Sequence, residues 1–268
     1  MYRTLTRILL LATSCAAAGS AGSAGAAARA APECIVPAKP GGGMDLTCKL
    51  TRKGLQIGDP NAALRISYLP GGIGAVAWST VVSQRRAEPD ALVVFSGGSL
   101  LNLALGKYGP AALGDVRWVA ALATDYGMIA VNADSPYKNL RDLVAALKRD
   151  PANVAIGASG TIGSQDWLKV ALIAKQGGVD PKSVRFVAFE GGGESFTALR
   201  AGHVQAVSGD ASEAALYGGG TPGEKIRVLA VLSDARLPGA LANVPTAHEQ
   251  GFDVTWPIIR GVYMGPQV

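Results

Sequence analysis

The sequence predicts an α/β fold in two units of similar size, with a ligand cleft between them. Three observations carry that reading. Short apolar runs alternate with segments of helical spacing along most of the chain, the pattern of a mostly parallel sheet with helices packed on it. Several of the runs are continuous, as in strands covered on both faces. Most of them end in a turn rich in glycine, and ligands of open α/β sheets bind beyond the carboxyl ends of the strands.

In order, the first run ends at Val36 and enters the turn 37–43, after which Asp45, Leu46 and Leu50 open a helix. Residues 64–69 read as a strand, followed by Pro70-Gly-Gly-Ile-Gly74 and a helix over 75–86. A third strand at 91–95 runs into Ser96-Gly-Gly-Ser99 and a short helix to Lys107. Residues 116–123 form a fourth strand, ending in Thr124-Asp125-Tyr126, and 128–132 a fifth. Leu140, Leu143, Val144 and Leu147 repeat at i, i+3, i+4, i+7, the apolar face of a scaffold helix. The second unit continues with strands at 153–158, 184–189, 203–208 and 226–232. Its turns are 159–163, 190–193 and Gly209-Asp210, and Ser164 is a natural N-cap. Chain crossings fall near 127–133 and 231–238, and the tail returns to the first unit.

Residues 1–30 read as an export leader: Arg3 and Arg7, an apolar stretch from Ile8 to Ala18, and an Ala28-Arg29-Ala30 cleavage site. Without the leader's three arginines the balance is 22 basic to 20 acidic residues. There is no basic run and no basic-aromatic stripe, so nucleic acid is not an expected partner. Glycine stands at 35 of 268 positions, nearly twice the usual ~7 %. Because the excess sits at turns, it marks special backbone positions in a folded protein. In an exported chain Cys34 and Cys48 can pair. A bridge would tie down the first turn, and two buried thiols are the alternative.

The chemistry these residues suit is anion binding. A strand, a glycine turn and a helix start aim free backbone N–H groups outward, and those groups bind carboxylates. The candidate ligand-binding residues are Lys39, Gly42, Gly43 and Asp45 in the first turn, Gly72 and Gly74 in the second, and Ser96, Ser99 and Thr124. In the second unit they are Ser159, Gly163, Ser164, Gln165, Gly192 and Asp210. Lys39 is the expected cation. Enzyme chemistry is hard to assemble. Gly72–Ala77 fits the dinucleotide fingerprint, but on the second βα unit of an exported chain. Ser159 lacks the final glycine of a nucleophile elbow, and His203 and His248 read as surface residues. No metal-ligand spacing is present, so neither a cofactor nor a catalytic group is expected. An exported oxidoreductase or hydrolase using these turns is the alternative class.

Taken together, Pro37-Ala-Lys-Pro-Gly-Gly-Gly-Met-Asp45, Pro70-Gly-Gly-Ile-Gly-Ala75, Ile156-Gly-Ala-Ser-Gly-Thr-Ile-Gly-Ser164, Phe189-Glu-Gly-Gly-Gly193 and Arg227–Leu232 with Arg236-Leu-Pro238 and Val244-Pro-Thr246 resemble the extracytoplasmic solute receptors of tripartite tricarboxylate transporters. The likeness runs over 33–268. It implies a two-lobed periplasmic binding protein fold of type II, with lobe 1 at 31–131 plus 234–268 and lobe 2 at 132–233. It implies a periplasmic, monomeric receptor that delivers a carboxylate to a two-component membrane permease. In such receptors the first turn and the helix start of lobe 2 grip the ligand, here Lys39–Asp45 and Ser159–Gln165. Pro-Ala-Lys-Pro, the two cysteines, Thr124–Tyr126 and Trp256–Arg260 are similar to the branch that takes a tricarboxylate such as citrate. Family members run several tens of residues past Gly265-Pro266. A receptor that feeds a signalling partner shares these features.

Overall fold

The computed structural model describes residues 31–218 and 225–268. The expected leader lies outside the described residues. Two lobes are built on two sheets that share one long strand. The first sheet holds β1 (Glu33–Val36), β2 (Arg65–Tyr68), β3 (Ala91–Ser96), β4 (Arg117–Asn132) and β9 (Pro257–Met264). The second holds the far half of β4 with β5 (Ile156–Ser159), β6 (Phe186–Phe189), β7 (Ala206–Asp210) and β8 (Ile226–Leu232). The order is β2-β1-β3-β9-β4-β7-β5-β6, with β8 on the other side of β4.

The helices follow the strand ends. They are α1 (Gly43–Gly58), α2 (Ala75–Ser83), α3 (Gly97–Ala104), α4 (Leu140–Arg149), α5 (Gln165–Gln176), α6 (Gly192–Arg200) and α7 (Ala211–Leu216). The α4 face is buried at Leu140, Leu143, Val144 and Leu147, and Asn139 caps it by accepting from the Asp142 N–H at 2.9 Å. Alternation along β1 sends Ile35 into one core of the first sheet and Cys34 with Val36 into the other. Cys34 and Cys48 are disulfide-bonded, with their Cα atoms 5.8 Å apart.

Three expectations change. The sheets are mixed, not mostly parallel: β1, β2 and β3 run parallel, as do β5, β6 and β7, but β4 and β9 run against their neighbours. A returning tail strand inserted between β3 and β4 imposes that reversal. The strands expected at 116–123 and 128–132 are one strand, because Thr124-Asp125-Tyr126 pairs with Ile259-Ile258-Pro257. The partner changes at Gly127, from β9 to β7 and β8. Residues 241–254, expected with the first lobe, pack on the second sheet: Leu241 and Val244 enter one of its cores, Ala247, Phe252 and Val254 the other. The chain joins the first sheet only at Pro257. No described helix is long and apolar enough to cross a membrane.

Candidate functional site

Four helix starts, α1 and α3 from the first lobe and α5 and α6 from the second, line one small cavity where the lobes meet. It measures about 50 Å³. The first turn enters it through Gly42 and Gly43, which cap and open α1. A side chain at Gly43 would collide with the Arg260 guanidinium. Gly41 has φ +92°, and a Cβ there would lie 2.5 Å from the Tyr217 hydroxyl, which instead donates to the Gly41 carbonyl at 2.9 Å. Glycine is therefore needed because the opposite lobe comes so close. Opposite, Ser164 caps α5: its Oγ accepts from the Trp167 N–H and donates to the Ser159 carbonyl at 3.0 Å.

Eight of the sequence-derived candidates line the cavity: Gly42, Gly43, Ser96, Ser159, Ser164, Gln165, Gly192 and Asp210. The others lie elsewhere. Lys39 stands outside, half-exposed and paired with Glu194 of α6 at 2.6 Å. Asp45 is buried beneath the turn, accepting from the Gly41 N–H, Lys49 and the Tyr68 hydroxyl. Ser99 accepts from the Ser96 N–H at 3.2 Å, closing the start of α3. Gly74 packs on Tyr108, Gly163 faces Lys107, and Thr124 lines a groove beside α1. Gly72 lines a second opening of about 420 Å³, which shares Ile73, Asn102 and Glu190 with the inner cavity.

The cation inside is Arg260, which in the sequence stands out only as the end of the Trp256–Arg260 run. It is 5 % exposed, and its Nη2 binds Asp125 at 3.0 Å and also Asp210. Behind it Lys169, fully buried, binds Asp166 at 2.7 Å, Asp210 at 3.2 Å and the Gly209 carbonyl at 2.6 Å. The row Asp166–Lys169–Asp210–Arg260–Asp125 thus alternates in sign. Burial alone pushes the Asp210 carboxyl up, but Arg260 and Lys169 outweigh it and hold the group below its usual range. Burial raises Asp166, against the pull of Lys169.

Glu213 crosses from α7 to the first lobe. Its Oε1 accepts from the Gly43 N–H at 2.6 Å and its Oε2 from the Asp210 N–H at 3.2 Å. Burial first, then Asp210 and Asp166, push its carboxyl up to about 8. The folded protein therefore holds a proton that the unfolded chain, with an ordinary glutamate near 4.3, releases. The sign follows: the folded state binds more protons between about pH 4.5 and 8, so this group's contribution to stability falls as pH rises through that window. Glu213→Gln should flatten that part of the profile. Thermal melts from pH 5 to 8 with the same slope in both proteins would refute it.

Sequence reasoning missed Arg260, Glu213, Asn102 and Glu190 as cavity residues. Asn102 and Glu213 each lie three residues beyond a candidate, Ser99 and Asp210 respectively, one helical turn on and so on the same face. Arg260 had no such signal, because only the returning strand β9 brings it to the site.

Residues 79–262 match the family described as the tripartite tricarboxylate transporter family receptor. The chain belongs to that family. This receptor is also 28% identical over 142 residues to a Cupriavidus necator protein, "UPF0065 protein in gbd 5'region". That match covers 52% of the chain, which spans only 40% of the length of that relative. Among solved structures it is similar to MatC of Rhodopseudomonas palustris with bound malate, at TM-score 0.74 and 22% identity over 88% of this chain and 78% of that one. It is similar also to R. palustris Rpa4515 with adipate, at TM-score 0.73 and 22% identity over 87% and 76%. A third likeness is the periplasmic binding protein BugD, at TM-score 0.75 and 16% identity over 87% and 76%. These likenesses place the receptor's fold among the periplasmic binding proteins.

Proposed function

We propose that this receptor is periplasmic, closes its lobes on a small carboxylate and hands that acid to a two-component membrane permease. The observation that carries it is the convergence of four helix starts and Arg260 on one cavity. Each helix start contributes about 0.3–1 kcal/mol toward an anion, more when sheltered. Several together hold a carboxylate with little side-chain charge. Across the cleft Lys39–Glu194, Tyr217–Gly41 and Glu213–Gly43 keep the lobes shut in this arrangement. About 50 Å³ has room for only a few water molecules, so admission of the acid requires the lobes to part. The chain's groups bind and orient; nothing in this reading calls for catalysis.

The motif resemblance narrows the acid to a tricarboxylate, citrate first. One observation favours a second reading, a dicarboxylate. The lining holds Asp166, Glu190 and Asp210, and Arg260 is the one cationic side chain in it, a poor match for three negative charges. The acids in two similar proteins, malate and adipate, have two carboxylates each. Calorimetry with citrate and succinate separates the two: citrate binding in the micromolar range is the expected result for the tricarboxylate reading. Succinate binding without citrate binding would reject it.

A further inference from the structure

We propose that the acid this receptor takes carries a hydrogen-bond donor, a hydroxyl or an ammonium group, beside its carboxylates, and that Asn102 and Glu190 select for it. This rests on the receptor reading above and deepens it.

An anion site should offer donors, and much of this cavity does. One part offers the reverse. Asn102 Oδ1, Gln165 Oε1 and Glu190 Oε2 are shielded acceptor atoms that no donor among the described residues reaches, and all three residues line the cavity. Asn102 is 4% exposed. Its orientation follows from its neighbour: the Tyr108 hydroxyl gives its proton to the Ile73 carbonyl at 2.7 Å, so toward Asn102 it can only accept. The amide nitrogen therefore faces Tyr108 and Oδ1 is left for the cavity. Glu190 needs no such argument, since both oxygens of a carboxylate accept. The nearby ammonium of Lys39 is engaged by Glu194. Asn102 and Glu190 also border the second opening. Two of the three acceptors, Asn102 and Glu190, thus lie on that side, away from Gly43 and Arg260, which line the cavity but not the opening.

A buried acceptor left without a donor is costly, and a ligand that supplies one recovers that cost. A site built this way rejects the analogue that lacks the donor. An unsubstituted acid would offer neither group a donor.

The test is calorimetry of the purified protein with matched acids: citrate against tricarballylate, malate against succinate, and aspartate against succinate. Within at least one pair the donor-bearing acid should bind tenfold or more tightly, and Asn102→Ala should cut that ratio to about twofold or less. Glu190→Gln distinguishes the donor. It should abolish a preference for the ammonium acid, because the carboxylate charge is gone. It should spare a preference for the hydroxy acid, because the amide oxygen still accepts. Thermal melts with unchanged midpoints certify that both variants fold. Binding in which no donor-bearing acid is tighter than its unsubstituted partner in any of the three pairs would overturn this inference and leave the receptor reading standing. Binding of none of the five acids would overturn both.

Discussion

Arg260→Ala should lower the unfolding free energy by roughly 3–5 kcal/mol, the usual cost of breaking a buried ion pair by removing one partner. Arg260 is 5% exposed, and its guanidinium sits between Asp210, which is buried, and Asp125, which is partly buried. Without it Asp210 retains Lys169, but Asp125 keeps only hydrogen bonds from Ser212 and the Tyr126 N–H. The void left beside Gly43 adds to the loss, because the guanidinium packs directly against that backbone. Arg260→Lys should recover part of the stability, since an ammonium keeps the charge but not the planar fork. Urea unfolding of the three proteins reads this directly. If the alanine variant unfolds at the wild-type midpoint, the alternating row of charges does not hold the lobes together. Acid binding should weaken in step, because the same side chain lines the cavity.

Loss of the Cys34–Cys48 bridge is the second large effect. It closes a loop with a sequence separation of 14, for which chain entropy gives about 3 kcal/mol. For a domain of this size that corresponds to a midpoint drop of roughly 6–12 °C. The bridge lies in a core with Val36, Met44, Leu64, Val94 and Val262, so Cys34→Ser with Cys48→Ser also puts two hydroxyls among apolar groups. Position matters as well as energy. The bonded cysteines flank the turn that carries Gly41, Gly42 and Gly43 to the cavity, and freeing that turn should weaken binding along with folding. Melts with and without a thiol reductant would measure it. Reduced and oxidised protein melting together would show that the packed core, not the bond, holds the turn.

Much of the site is legible in the sequence. Wherever a strand runs into glycines and then a helix, the local rule places free N–H groups at the strand's carboxyl end, and Gly42, Gly43, Ser159, Ser164 and Gly192 do line the cavity. Lys39 illustrates the limit. A lysine beside an anion-binding turn is a reasonable cation, yet its long side chain reaches outward to Glu194, which α6 of the other lobe brings within 2.6 Å. Sequence distance between the two is 155 residues, and nothing local announces that meeting.

What the sequence determined alone was the set of local conformations: most of the runs that become strands, and where the helices start. These depend on side-chain period and on backbone sterics within a few residues, so neighbours in sequence suffice. Tertiary structure decided the charge inside the cleft. Arg260 arrives on an antiparallel strand from the end of the described chain, Lys169 and Asp166 from α5, and Glu213 from α7. Buried charges are tolerable only when opposite partners from distant segments meet, and that condition is met by topology, which no short stretch of residues encodes.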